Sequence, residues 1–256
     1  MSMSDIKVKL HSDNEQEVDA ALLEIIRQLQ GTEKQKEEVA NETLPILKEM
    51  LLKHEGQDVR DVAAVAIGYM DKYGASAQPE ILESLANYDA YEFRHVASTA
   101  FFIGVPAEKA VPLLKVALVS SHWKEDTAMV LGWYGPAASD AVDALISETA
   151  ADPAPPNEMA KGADISKRRE VIKALGKIGL GAKVAVPRLA ELLWDPSQDI
   201  RGYAAKSLAK ITNEFEDPWK GDDVFSMSKE DPKEIEIVVI ARKWWQTSGS
   251  SQNWGE

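Results

Sequence analysis

Histidine and cysteine often act as bases, nucleophiles or transition-metal ligands, and this sequence has four histidines, far apart, and no cysteine. The four histidines are His11, His54, His95 and His122, and their spacing matches no metal site. Cysteine is absent, which excludes cysteine nucleophiles and zinc sites built on cysteine. No glycine-rich phosphate loop occurs. We therefore expect surface or partly packed histidines, and no cofactor or bound metal.

The chain is acidic, and its charges are unevenly distributed. Its 256 residues carry a net charge of −13, yet residues 161–213 contain eleven Lys or Arg against five Asp or Glu. Because nucleic-acid binding needs a basic footprint, the overall charge argues against a nucleic-acid partner. The N-terminal stretch lacks the apolar segment of a signal peptide, and no run approaches 18 apolar residues. These features predict a cytoplasmic protein that does not contact a membrane.

The sequence contains internal repeats, which predict the helices that position these side chains. Five segments align, at residues 58–70, 92–104, 122–135, 166–179 and 199–212. A basic residue recurs in register in all five, as Arg60, Arg94, Lys124, Arg168 and Arg201. Small or apolar residues follow it after three, four and seven positions, which is the spacing of one helix face. Each segment is therefore predicted to form a helix.

A second helix is predicted in at least four of these units. Its marker stands 18 or 19 residues after the basic residue, as Pro79, Pro112, Asp143 and Pro187. A proline disturbs a helix least in the first turn, where backbone N–H groups have no acceptor within the helix. We expect Pro187 in or beside such a first turn. Helix, glycine-bearing turn and second helix then repeat every 30–34 residues, apart from one longer gap, and must stack to bury their apolar faces.

These units resemble a known family. The segments DVRDVAAVAIG, AVPLL, SKRREVIKALGKIG followed by AVPRLAELL, and DIRGYAAKSLAKI resemble HEAT repeats, particularly the short units related to phycobilisome-lyase HEAT-like repeats. The resemblance implies an all-α fold of the armadillo type, an α-α superhelix in which antiparallel helix pairs form a solenoid. Such arrays serve many unrelated functions, so the resemblance does not imply an activity.

The remainder of the chain is expected to complete the array. Residues 1–57 are predicted to be N-terminal capping helices, and residues 58–213 to be about five repeats with a loop insertion near 151–165. Residues 214–246 are predicted to form a C-terminal capping segment and helix. Residues 247–256, rich in Ser, Gly, Gln and Asn, are expected to be a flexible tail.

Trp123 and Asp126 could suggest enzymatic chemistry, because helical-repeat DNA glycosylases use aromatic and acidic groups in a groove to hydrolyse damaged nucleotides. In the alignment, however, Trp123 takes the place of Val59, Phe93 and Ile200, which immediately precede the repeated basic residue. That position predicts packing in the core, and the surrounding sequence supplies no basic groove. A glycosylase-like enzyme and a HEAT-like lyase therefore stand as the less favoured alternatives.

Two surfaces remain as candidates once the core positions are subtracted. The first is the face of the second helices one and four residues after the marker, which usually lines the concave side of HEAT-like arrays. We call it the second-helix strip; its residues are Glu80, Glu83, Leu113, Val116, Ala144, Ser147, Arg188 and Glu191. It is apolar in the middle and charged at its ends, which suits a peptide or a protein loop.

The second surface is the outward face of the first helices, five and nine residues after the basic residue. Its positions are Val65, Tyr69, Thr99, Ile103, Met129 and Trp133 in the first three units, then Lys173, Lys177, Lys206 and Lys210. Tyr69 and Trp133 mark a face that either the termini of the chain or another protein should cover. The second-helix strip is the preferred interface.

The sequence therefore predicts a non-enzymatic protein-binding scaffold or adaptor that uses the concave face of a HEAT-like solenoid. Its partner would be a protein or peptide, held by a rigid surface that needs little ordering on binding. The leading alternative is an inhibitor or immunity-type protein whose acidic units cover a basic enzyme surface.

Overall fold

A computed structural model describes residues 1–87, 93–120, 123–152, 155, 157–218 and 232–255. This part of the chain is all-α and contains no strand. Its helices are α1 (Met3–Leu10), α2 (Glu15–Leu29), α3 (Glu33–Lys53), α4 (Gln57–Tyr69), α5 (Gln78–Ala86), α6 (Phe93–Phe102), α7 (Ala107–Ser120), α8 (Lys124–Tyr134), α9 (Val142–Glu148), α10 (Glu158–Ile178), α11 (Val186–Glu191), α12 (Gln198–Thr212) and α13 (Pro232–Thr247). Within these residues no helix combines the length and apolar composition that a membrane span requires.

The chain divides into two compact units. Unit 1 comprises Met1–Leu114 and Ser121–Trp123, and unit 2 comprises Lys115–Ser120 and Lys124–Glu256. In unit 1, α2 and α3 pack against α4, and α4 packs against α6. In unit 2, α10 packs against both α8 and α12, and α12 packs against α13. The first helices of the repeats are thus neighbours within each unit.

The apolar spacing read from the sequence explains which helix faces are buried. The side chains seven residues after the repeated basic residue are fully buried at Ile67, Leu131, Leu175 and Leu208, as the alignment predicts. At Phe101, the fifth such position, the side chain is half-buried. The recurring position therefore forms the core of each unit.

The repeated basic residue has a structural role at helix ends. Arg60 donates from Nη1 to the carbonyl oxygens of His54 and Glu55, at 2.6 and 3.1 Å, just beyond the end of α3. Arg201 makes the same pair of bonds to Asp195 and Pro196, at 2.8 and 3.0 Å. The last carbonyl groups of a helix have no partner within it, so an arginine in this position satisfies them.

The first helices are also followed alike by a residue with a positive φ. These residues are Asp71, Gly104, Gly135, Gly179 and Asn213, with φ between 51° and 75°. Glycine adopts this conformation without a steric penalty, which explains the glycine-bearing turn in the sequence. At Asp71 an aspartate stands where three of the five turns have glycine.

The marker prolines differ in their surroundings. Pro79 and Pro187 are the second residues of α5 and α11, so both lie in a first turn as predicted for Pro187. Each is preceded by a 3₁₀ helix, Asp71–Ala77 before Pro79 and Gly179–Ala185 before Pro187. Pro112 instead lies inside α7, because this helix begins at Ala107 and no such segment precedes it. There the proline removes one bond of the helix.

Two expectations about local structure need correction. The loop insertion near 151–165 is shorter than predicted, because α10 begins at Glu158. The side chain of Asn157 accepts from the backbone N–H of Ala160 and caps this helix, and Lys167 pairs with Asp164 at 3.3 Å one turn along it. Trp123 is only half-buried rather than in the core.

The C-terminal residues fold back on the last helix. Trp254 is buried and donates from Nε1 to the carbonyl oxygen of Gly249 at 2.8 Å. Its ring lies edge-on to the ring of Trp244. The centroids of the Trp244 and Phe215 rings are 5.3 Å apart. Burial of these aromatic rings favours a packed end, so residues 249–255 differ from the expected flexible tail.

Candidate functional site

A cavity of about 390 Å³ opens on unit 1 where α4 lies beside α6. We call it the α4–α6 cavity. Its lining residues are Lys36 from α3, Val65, Gly68 and Tyr69 from α4, Asp71 from the following turn, and His95, Ser98, Thr99 and Phe102 from α6. The volume is within the range of sites that hold small ligands or single side chains of a partner.

Close packing of α4 on α6 forms the floor of this cavity. A Cβ atom at Gly68 would lie 2.8 Å from the hydroxyl oxygen of Thr99, so only glycine lets the helices approach this closely. The buried hydroxyl of Thr99 donates to the carbonyl oxygen of Ala64 at 2.8 Å. The helices are therefore held in one register beneath the cavity.

The walls of the cavity are mainly apolar. Val65 is half-buried, whereas Tyr69 and Phe102 expose 45% and 49% of their surface. Exposed aromatic side chains that line a concavity are typical of binding sites, because they gain most when a ligand removes them from water.

Two ion-paired groups stand beside this apolar surface. The ring of His95 places Nδ1 2.7 and 2.6 Å from the two carboxylate oxygens of Asp61, which fixes the orientation of the imidazole. Lys36 donates to Oδ2 of Asp71 at 2.6 Å. This hydrogen bond is the main cause that raises the pKa of Lys36 above its usual value, so the ammonium group stays charged at neutral pH.

The hydroxyls of Ser98 and Thr99 are also engaged. Ser98 donates to the backbone carbonyl of His95 at 3.0 Å, and Thr99 donates to Ala64 as described above. A carboxylate that orients a histidine is also the arrangement of a general base, but a nucleophile must hydrogen-bond to the ring of that base. Neither hydroxyl does so. Across the described residues, no three His, Asp or Glu side chains are grouped to hold a metal ion.

The part of the second-helix strip in unit 1 consists of Glu80, Glu83 and Leu113. Glu80 lies on α5 and pairs with Lys48 at 2.9 Å, so its charge is largely compensated. Glu83 is exposed and Leu113 is half-buried. Glu80 and Lys48 also line an open cleft between α3 and α5. In unit 1 the second-helix strip is therefore charged on α5 and apolar at Leu113.

The other members of the second-helix strip belong to unit 2. Val116 exposes 60% of its surface on α7, and Ala144 on α9 is half-buried. The hydroxyl of Ser147 donates to the carbonyl of Asp143 at 3.0 Å. Arg188 donates to the hydroxyl of Thr149 at 2.9 Å and to Glu191 at 2.7 Å. The charged end of the strip is therefore internally paired.

The outward face predicted for the first helices is only partly exposed. Tyr69 lies at the mouth of the α4–α6 cavity, and Trp133 is half-buried. Thr99, Ile103 and Lys206 are buried within their own units, which contradicts an outward orientation. Thr99 is covered because it faces Gly68 of α4, and Ile103 because its side chain reaches Gly74.

Several residues of the cavity were not singled out from the sequence. Asp61 and His95 each follow the repeated basic residue of their unit, so the alignment already places them at equivalent positions of adjacent helices. That register is a signal that could have paired them. Lys36 and Phe102 carry no such signal, because α3 lies outside the repeats and because Phe102 stands where three other repeats have glycine.

Comparisons with known proteins support the fold class. No family model matches the chain, and no curated protein matches it. Two engineered proteins with crystal structures from the Northeast Structural Genomics Consortium are similar in structure. The first has a TM-score of 0.60 and 18% identity, over 83% of this chain and 98% of its own. The second has a TM-score of 0.57 and 17% identity, over 98% of this chain and 65% of its own. At these identities the likeness concerns the all-α fold alone.

Proposed function

We propose that this chain is a non-enzymatic protein-binding scaffold, built from HEAT-like repeats as an α-solenoid, and that a polypeptide partner inserts an apolar side chain into the α4–α6 cavity. One observation carries the proposal. The cavity exposes the aromatic rings of Tyr69 and Phe102, while hydrogen bonds within the protein already engage Lys36 and His95 and the hydroxyls of Ser98 and Thr99. An apolar occupant would leave those bonds intact.

The repeat architecture rests on three features that recur between units. They are the small residues where first helices meet, the residue with a positive φ that follows each first helix, and the arginine that caps the preceding helix. Stacked helical hairpins present rigid surfaces, which lowers the conformational entropy lost when a partner binds. Scaffolding by a preorganised surface is the function that suits this architecture.

The enzymatic alternatives need polar groups in a cavity that are available to a substrate. In the α4–α6 cavity His95 is oriented by Asp61, but the neighbouring hydroxyls of Ser98 and Thr99 donate to backbone carbonyls. A lyase or a glycosylase-like activity therefore has less support than binding. An inhibitor that covers a basic enzyme surface is a special case of the proposed function.

The second-helix strip is a second candidate surface for the same function. Val116 and Val119 stand three residues apart on α7, and each exposes 60% of its surface. Neighbouring aliphatic side chains on an exposed helix face are typical of interfaces. The second-helix strip is therefore an alternative docking surface, and mutations in the strip and in the cavity show which of the two binds the partner.

The test compares exposed apolar residues at three places. A partner captured from a lysate of the source cells is purified and titrated against wild type and against Phe102→Asp, Leu23→Asp and Val116→Asp. Leu23 is an exposed residue of α2 outside the cavity and serves as the matched control. We expect Phe102→Asp alone to weaken binding by at least tenfold, with an unchanged helical spectrum. If Val116→Asp weakens binding instead, the second-helix strip is the interface.

A further inference from the structure

We infer that the polypeptide segment bound by the α4–α6 cavity carries Lys or Arg next to its apolar side chain, and that Asp71 selects for this positive charge. The inference rests on the proposed function and adds the chemistry of the partner.

The charge of unit 1 favours a basic partner. Residues 1–114 contain eleven Lys or Arg and twenty Asp or Glu, a balance of −9. A surface of one sign attracts ligands of the opposite sign during diffusion and repels those of the same sign. An acidic segment would therefore approach this unit slowly, and a basic segment quickly.

At the cavity itself, Lys36 and Asp71 offset each other in charge but differ in exposure to solvent. Lys36, whose side chain is mostly buried, binds one carboxylate oxygen of Asp71, and the Asp71 side chain is 52% exposed. Among the described residues, Oδ1 of Asp71 has no hydrogen-bond donor. A cationic side chain that approaches from solvent would meet this oxygen beside the apolar wall formed by Tyr69 and Phe102.

The backbone at Asp71 sets this turn apart from the three that have glycine. Asp71 has φ 51°, and the residues after the other first helices also have a positive φ. They are Gly104, Gly135 and Gly179 in three turns and Asn213 in the fourth. Glycine would make the same turn with less strain, although aspartate and asparagine tolerate it better than other residues. A strained residue at the mouth of a cavity is a common sign of function.

A second copy of this chain is the competing occupant. In unit 2, Leu180 is exposed between the exposed residues Lys177 and Lys183, so this segment has the same chemistry. A separate basic partner is favoured because binding through Leu180 would join the copies head to tail, and such contacts form open chains unless they close into a ring. Sedimentation measures this directly. Concentration-dependent self-association that Phe102→Ala abolishes would overturn the inference of a separate partner.

The experiment uses three synthetic peptides that differ only in charge. Each has one Phe in a Gly/Ser background, flanked on both sides by Lys, by Ser or by Glu, and carries a fluorescent label. Binding to the full chain is followed by fluorescence anisotropy at low and physiological salt. We expect the Lys peptide to bind about tenfold more tightly than the Ser peptide and the Glu peptide to bind most weakly. The difference should shrink as salt is added.

Two variants assign the charge preference to Asp71. Asp71→Asn keeps a residue that tolerates the left-handed backbone, and should remove most of the preference for Lys over Ser peptide. Asp19→Asn changes the net charge equally at an exposed position of α2 and should leave the preference intact. Equal effects of the two variants would refute the role of Asp71.

The outcomes separate this inference from the proposed function. If the Ser and Lys peptides bind equally and Phe102→Ala weakens both, the cavity binds apolar side chains and the charge inference fails. If no peptide binds, or if Phe102→Ala changes nothing, both the charge inference and the assignment of the cavity fail.

Discussion

Gly176 of α10 lies directly against Ser207 of α12. The hydroxyl of Ser207 donates to the carbonyl oxygen of Ile172 at 2.8 Å, and a Cβ atom at Gly176 would lie 2.6 Å from that hydroxyl oxygen. In unit 1, Gly68 and Thr99 make the same arrangement, with a bond from Thr99 to Ala64. The close approach of neighbouring first helices is thus a repeated feature of the fold.

This contact predicts opposite effects for two glycines of the same helix. Gly176→Ala should destabilise the protein by about 1–3 kcal/mol, because the new methyl group overpacks the contact with Ser207. Gly162→Ala should stabilise it by about 0.5–1 kcal/mol, since nothing lies within 4 Å of the added Cβ and alanine favours a helix. Urea unfolding of both variants measures the difference. A Gly176→Ala protein as stable as wild type would contradict the packing described here.

We expect substitution of Arg168 in unit 2 to cause a large loss of stability. It is buried, donates from Nε to the carbonyl oxygen of Thr149 at 2.9 Å, and pairs with the carboxylate of Asp195. Arg168→Ala should destabilise the protein by about 3–5 kcal/mol, because a buried carboxylate loses its partner. Arg188→Ala, which removes a pair with the exposed Glu191 and a hydrogen bond to the Thr149 hydroxyl, should cost only about 1–2 kcal/mol. Similar small losses for both would show that Asp195 remains compensated by other groups.

The lowered pKa of Glu24 makes the stability of the protein depend on pH. Hydrogen bonds from Arg27, and then from Gln28, lower the pKa of Glu24 from 4.5 to about 2. Because the folded pKa lies below the unfolded one, the stabilisation is fully present above about pH 4.5 and is lost as the pH falls towards 2. Glu24→Gln should therefore lower the melting temperature at pH 7, and the gap from wild type should narrow by pH 2.5. A gap that is the same at both pH values would contradict the lowered pKa.

The sequence predicts the helices and their register well, because packing at the repeated positions imposes one spacing on every unit. Ile67, Leu131, Leu175 and Leu208 illustrate this, since each is fully buried at the aligned position. The sequence predicts side-chain exposure less well. Helical spacing alone predicts that Ile103 faces outward, but its side chain packs where Gly74 leaves room. The sequence of one helix does not show where a neighbouring segment leaves such room.

The α4–α6 cavity could be predicted only in part. Tyr69 was selected from the sequence, and the shared repeat position of Asp61 and His95 contains the information that pairs them. Lys36 could not be placed, because α3 lies outside the repeats and its contact with Asp71 depends on how α3 packs against the segment after α4. The cavity is therefore a property of tertiary packing rather than of the repeat pattern.

The most direct test of the central claim is to map a bound peptide onto the protein by NMR. The Lys-flanked Phe peptide is added to isotope-labelled protein, and changes in backbone amide and methyl chemical shifts are followed residue by residue. Occupation of the α4–α6 cavity predicts the largest changes at Val65, His95 and Ser98. Changes confined to Val116, Ala144 and Arg188 of the second-helix strip, with the cavity unaffected, would contradict it.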